Sequence, residues 1–186
     1  VELPTCLQSL SFGREFDHSL KDVKLPPDLQ SLTLGGEFNQ SFDEIKVESL
    51  QSLTLGGWLY NESLEHVKLP DSLKSLTLGY EFNQRMDQVK LPKNLESLTF
   101  GYFFNQTLEE MDLPAGLRSL SFDHKFNQSL ENVKLPSSLE SLTFGYLFNQ
   151  SLDHVTLPAG LQYLAFGHKF NQSLEHAKLP AALHTL

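Results

Sequence analysis

Residues 135–156 read LPSSLESLTFGYLFNQSLDHVT. Apolar residues stand at Leu139, Leu142 and Phe144, then at Phe148, Leu152 and Val155. Leu142-Thr143-Phe144 alternates in, out, in, as a half-buried strand does, so 139–144 is a strand candidate. The opening Leu135-Pro136 suits a turn or extended segment outside a sheet, because proline lacks an N–H and fixes φ near about −65°. Gly145 follows the strand. No stretch carries a long helical period, so the remainder reads as turns and extended segments.

Outward from this stretch the same pattern returns every 22 residues. Leu-Pro recurs at Leu3-Pro4, Leu25-Pro26, Leu69-Pro70, Leu91-Pro92, Leu113-Pro114, Leu157-Pro158 and Leu179-Pro180, and Val47-Glu48 fills the vacancy. The chain is one repeat array over 1–186, with eight full units over 3–178 and a partial ninth over 179–186. The third unit is one residue short before Leu50 and one residue long between Gly56 and Asn61, yet the step survives. A coil of fixed circumference demands such compensation, because each rung must land in register on the one before. The expected fold is a β solenoid of nine strands. Glycine after each strand, replaced once by Asp123, suggests a positive φ at that corner.

The pattern LPxSLxSLxFGxxFNQ is carried by Leu91-Pro92, Leu95, Ser97-Leu98, Phe100-Gly101 and Phe104-Asn105-Gln106, with equivalents in the other units. It resembles the FNIP-type leucine-rich repeat of protist proteins over essentially the whole chain. It departs from that family in the third unit and in its frequent Ser-Leu. The resemblance implies a leucine-rich-repeat-like curved array with one parallel sheet on the concave face and little helix. It implies no single activity; such arrays are presumed interaction modules.

In a solenoid the side chains are read down columns. Thirteen of 14 Phe fall on core positions, and Phe103 alone does not. The column Asn39, Asn61, Asn83, Asn105, Asn127, Asn149 and Asn171, with Asp17 at its head, reads as a buried structural ladder satisfying backbone groups. Six of these lie in Asn-x-Ser/Thr sequons, and burial would make them poor glycan acceptors, which leans towards a compartment without glycosylation. Acidic residues stack at Asp43, Glu65, Asp87, Glu109, Glu131, Asp153 and Glu175. Lysines follow three residues later at Lys24, Lys46, Lys68, Lys90, Lys134 and Lys178. These read as solvated, mutually compensating ladders rather than a calcium site. His66, His154 and His176 flank the acidic column, with only His154 and His176 on adjacent turns, so no metal site is assigned.

Two column sets remain as candidate surfaces. On the outward strand face run Ser31, Ser52, Ser75, Ser97 and Ser141 beside Thr33, Thr54, Thr77, Thr99 and Thr143. Such regular hydroxyl rows suit ice or another ordered surface. Just after each glycine stand Trp58, Tyr80, Tyr102, His124, Tyr146 and His168, with Leu59, Phe103 and Leu147 beside them. These vary from unit to unit against a constant frame. Trp58, Leu59, Tyr80, Tyr102, Phe103, Tyr146, Leu147 and Tyr163 are therefore the expected partner-binding residues, since loops on rigid scaffolds carry recognition and Trp and Tyr dominate hot spots.

Composition bounds the function. The chain has 14 Lys+Arg against 23 Asp+Glu, a formal charge of −9, which argues against non-specific nucleic-acid binding. Hydrophobic residues make up 40%, enough for a core. Cys6 is the sole cysteine, so an intramolecular disulfide is excluded. No apolar run approaches a membrane span. No phosphate loop, Gly-x-Ser-x-Gly or singular His/Ser/Asp set is present, and repetition supplies the same groups eight times where catalysis needs one perturbed site. The expectation is a non-enzymatic protein–protein interaction scaffold without cofactor or catalytic residues. The alternative is an ice- or surface-binding solenoid using the Ser/Thr rows. Neither end carries a polar cap, so the array is expected to be a segment of a longer one, or to have its ends covered by other chains.

Overall fold

The computed structural model describes residues 3–43 and 45–186. Eight short strands form one parallel sheet in sequence order: β1 Ser9–Ser11, β2 Ser31–Thr33, β3 Ser52–Leu55, β4 Ser75–Leu78, β5 Ser97–Phe100, β6 Ser119–Phe122, β7 Ser141–Thr143 and β8 Tyr163–Ala165. From β1 to β7 equivalent positions pair, as in Ser97↔Ser119 and Leu98↔Leu120, and at β8 Tyr163 and Ala165 take the places of the hydroxyl residues. The described residues contain no helix. The molecule is a β-solenoid of stacked rungs.

Each rung closes through three tight turns. In 135–156 the Leu139 N–H donates to the Pro136 carbonyl at 3.1 Å, the Phe148 N–H to Gly145 at 3.3 Å, and the Val155 N–H to Leu152 at 3.1 Å. The residues that open or close these turns are the periodic apolar ones. This is why the interior fills with Leu and Phe: Leu139, Leu142, Phe148 and Leu152 are all at most 1% exposed. Each such side chain contributes roughly 1.5–3 kcal/mol of burial. The phenylalanines stack from rung to rung, for example Phe104–Phe126 at 6.1 Å and Phe126–Phe148 at 6.2 Å between ring centroids. In the first rung and from the fifth onward the residue that ends or directly follows the strand is also Phe, and it stacks within its own rung, as in Phe12–Phe16 at 3.9 Å and Phe144–Phe148 at 3.7 Å.

Four expectations are corrected. The strands are three or four residues long rather than six, because the Leu139-type N–H serves the turn and is lost to the sheet. The ninth strand is reduced to one bridge, Tyr163↔Thr185. Among the described residues Gly56 alone has a positive φ, 77°. The glycine column is instead kept by crowding: a Cβ on Gly145 would lie 1.6 Å from the Asp123 carbonyl oxygen, and one on Gly167 would lie 1.8 Å from that of Gly145. Finally, the asparagines are exposed or half-buried, and no described polar residue is buried. Leu and Phe fill the interior, leaving the amide column on the outer corner.

The third rung shows its compensation directly. Ser31↔Ser52 pairs residues 21 apart and Ser52↔Ser75 pairs residues 23 apart. Tyr60 is back in phase, stacking on Phe38 at 6.0 Å and Phe82 at 6.3 Å. Gly56, in its positive-φ conformation, absorbs the extra residue.

Candidate functional site

The constant corner explains the Asn-Gln-Ser sequence. Each Asn Oδ1 accepts the backbone N–H of the next rung's Asn: Asn83 from Asn105 at 2.9 Å, Asn105 from Asn127 at 2.9 Å, and Asn127 from Asn149 at 2.8 Å. Asp17 heads the column, accepting from Asn39 and from the Gln40 amide. Those two bonds hold its carboxyl below the usual carboxylate range. The Gln side chain donates back to the preceding rung, as Gln128 does to Asn105. The Ser hydroxyl accepts the N–H two residues on, as Ser129 does from Glu131 at 3.1 Å. In the fourth rung Arg85 replaces Ser and forks onto Asp87 at 3.0 and 2.9 Å. The sequons are thus a frame in which Asn, Gln and Ser each hold a backbone or neighbour-rung contact. The glutamine column was not singled out from sequence; its recurrence directly after Asn was the available signal.

The variable edge lies at the turn between the strand and the Phe-Asn corner. Backbone bonds from rung to rung pin it: Phe103 N–H to the Tyr80 carbonyl, Lys125 to Tyr102, Leu147 to His124 and Lys169 to Tyr146, each at 2.9 Å. From the third rung onward this brings the first residue of the turn, Trp58 to His168, into a continuous ring stack. Centroids are separated by 5.2 Å for Trp58–Tyr80, 4.5 Å for Tyr80–Tyr102 and 4.3 Å for Tyr102–His124. The stack continues at 4.6 Å for His124–Tyr146 and 5.1 Å for Tyr146–His168. The faces cover one another, so the stack offers its polar, electropositive edges to a partner rather than flat platforms. Phe103 packs edge-on against Tyr80 at 5.3 Å.

Cations line this edge. Arg14 lies 5.8 Å from the Trp58 ring, Lys125 lies 5.9 Å from Phe103, and Lys169 lies 5.9 Å from Tyr146. Trp58 and Leu59 are 54% and 50% exposed, pushed outward by the extra residue of the third rung. Desolvation, then the charges of Tyr102, Glu81 and Asp123, raises the Tyr80 phenol above its ordinary range. A shallow groove of about 370 Å³ runs between the stack and the sheet, lined by Thr77, Thr99, Ser121, Tyr80 and Tyr102.

Seven of the expected partner residues are therefore gathered on one edge. Tyr163 is not among them: it stands on the outward face of β8, paired in register with Ser141. The Ser and Thr rows run in register across that face, as in Ser31↔Ser52↔Ser75 and Thr33↔Thr54↔Thr77. The acidic column and the lysine column are exposed or half-exposed, and His66, His154 and His176 are exposed. The ion pairs Arg85–Asp87 and Arg118–Glu140 do not join those two columns.

The parallel sheet, the turn-closed rungs and the columnar core define a leucine-rich-repeat-like solenoid. More closely, the chain belongs to the FNIP repeat family, whose model matches residues 1–36, 60–103, 104–147 and 148–186. The unmatched stretch, 37–59, holds most of the departures of the third unit. A crystal structure of CroV588, described as a novel circular LRR protein, aligns with a TM-score of 0.67 and 34% sequence identity. The alignment covers 98% of this chain and 34% of that one, so this chain spans about a third of its relative's length. No curated protein matches. The fold is one generally used for scaffolding and interaction. Among the described residues no helix is long and apolar enough to cross a membrane.

Proposed function

We propose that the chain is a non-enzymatic protein–protein interaction scaffold, a segment or subunit of a larger array, whose recognition surface is the edge from Trp58 to His168. The supporting observation is a contrast between columns. The Phe and Asn columns repeat nearly unchanged and carry the fold, whereas the edge column beside them changes from rung to rung and is half-exposed. A rigid frame with one variable, aromatic-rich edge suits selective binding of another protein. That the chain aligns to a third of a circular relative supports its being one arc of a longer assembly.

The test uses two sets of substitutions. W58S/Y102S/F103S should abolish retention of the native protein partner while leaving the thermal midpoint nearly unchanged. T77R/T99R, on the sheet face, should leave retention intact. The opposite result would move the recognition surface to the sheet. The in-register hydroxyl rows support a second reading, binding to ice or another ordered surface. Thermal hysteresis lost in T77R/T99R would establish it.

A further inference from the structure

The second residue after each turn glycine forms a column whose order has a symmetry. Its midpoint is Phe103. One rung to either side stand Glu81 and Lys125; two rungs away stand Leu59 and Leu147. Three rungs away stand Glu37 and Lys169. Over these seven rungs, outward from Phe103, each leucine is matched by a leucine and each acid by a lysine; Glu15, four rungs away at the first unit, lies beyond the matched stretch.

A column so ordered is its own complement. A second copy laid against it antiparallel, about a two-fold axis through Phe103, puts Phe103 on Phe103 and Glu81 against Lys125. The same operation sets Leu59 on Leu147 and Glu37 against Lys169, and each of these contacts is made twice. We propose that this edge is an isologous interface through which two copies of the chain pair antiparallel. The inference rests on reading the edge as an interaction surface and names its partner.

Alternative alignments fail on the same residues. A slip of one rung places Lys125 against Leu59 and Phe103 against Glu81, so charge meets apolar surface. A slip the other way places Phe103 against Lys125 and Leu59 against Lys169. Pairing the two columns parallel and in register sets Lys125 on Lys125 and Glu81 on Glu81. One arrangement is satisfied and its neighbours are penalised, which is how register is specified in paired surfaces.

The geometry holds the column ready. The Glu37 N–H bonds the Arg14 carbonyl at 2.8 Å, the Leu59 N–H bonds Gly36 at 3.2 Å, and Phe103, Lys125, Leu147 and Lys169 do likewise, while in the fourth rung the Tyr80 N–H beside Glu81 bonds Gly57 at 2.6 Å, fixing a spacing of one rung per residue. Over six spacings of roughly 4.8 Å the column runs about 29 Å. Lys125 and Lys169 already lie against aromatic rings of the edge, so less side-chain freedom is lost on pairing. The adjoining ring stack obeys the same axis: Tyr102 meets Tyr102, Tyr80 faces His124, and Trp58 faces Tyr146. A ridge two side chains wide is at the small end for specific interfaces, so the dimer is weak and exchanging.

Two charge-split variants test this by sedimentation velocity over a wide concentration range. E37K/E81K carries lysine at all four charged positions of the matched stretch, and K125E/K169E carries glutamate at all four. Wild type should show a concentration-dependent dimer, and each variant alone should lose at least tenfold in association. An equimolar mixture of the two should recover a 1:1 dimer, which no folding defect could produce. A wild type that stays monomeric, or a mixture no better than its components, would overturn the proposal. If wild type is monomeric while W58S/Y102S/F103S still loses its native partner, self-pairing falls and the broader reading of the edge stands.

Discussion

The third rung and the seventh carry the same frame with different freedom. In the seventh, 135–156, the strand pairing, the phenylalanine stack and the asparagine bonds repeat those of its neighbours. In the third, a residue is lost before the strand and regained after it. The consequences are a glycine at φ 77°, a tyrosine in a phenylalanine's place and two large apolar side chains pushed outward. The difference shows what the solenoid holds constant. The strand's place in the sequence shifts by one residue, but its register in the sheet and the phase of the aromatic and asparagine columns do not, because each rung bonds to both neighbours at those points.

The largest break in this comparison comes from the regular rung. Phe148→Ala removes a fully buried ring stacked on Phe126, Phe144 and Phe170. It should cost about 3–5 kcal/mol, read as a lowered urea midpoint. A smaller loss is expected at the corner. Asn127→Ala deprives the Asn149 N–H and the Gln150 amide of their acceptor. It should cost about 1–2 kcal/mol in the same measurement.

The third rung should respond in the opposite direction. The Tyr60 hydroxyl is buried without a hydrogen-bond partner. Tyr60→Phe removes that polar group and keeps the stack, so it should stabilise by about 1 kcal/mol. Burial first, then the charges of Glu62 and Asp43, raises the Tyr60 phenol above its ordinary range. The unfolded chain releases this proton near about pH 10 while the fold retains it. Stability from this group is therefore full below that pH and falls as pH rises through it, and Tyr60→Phe should flatten this part of the alkaline limb.

The period, the core columns and the edge were legible in the sequence because a solenoid turns spacing into contact. Leu142 and Leu164 are 22 residues apart and lie side by side. Other features were legible only in part. A glycine after the strand is equally explained by a positive φ or by a carbonyl too close for a Cβ, and only the position of the Asp123 oxygen distinguishes them at Gly145. Sequence alone does not place Asn149 at the corner rather than inside, because a recurrent amide looks the same whether its hydrogen bonds run through the core or along a corner. The edge residues could be named, but not their face-to-face stacking, since ring tilt is set by the backbone bonds between turns. Side-chain type groups Tyr163 with them, whereas its position in the strand puts it on the other surface.

The asparagine column also has a direction. Each amide oxygen points forward to the N–H of the rung that follows in sequence, and the glutamine of that following rung reaches back. A finished rung is thus a template with an acceptor already in place for its successor. For a chain emerging from the ribosome amino end first, growth of the coil is vectorial: every new rung meets a prepared surface.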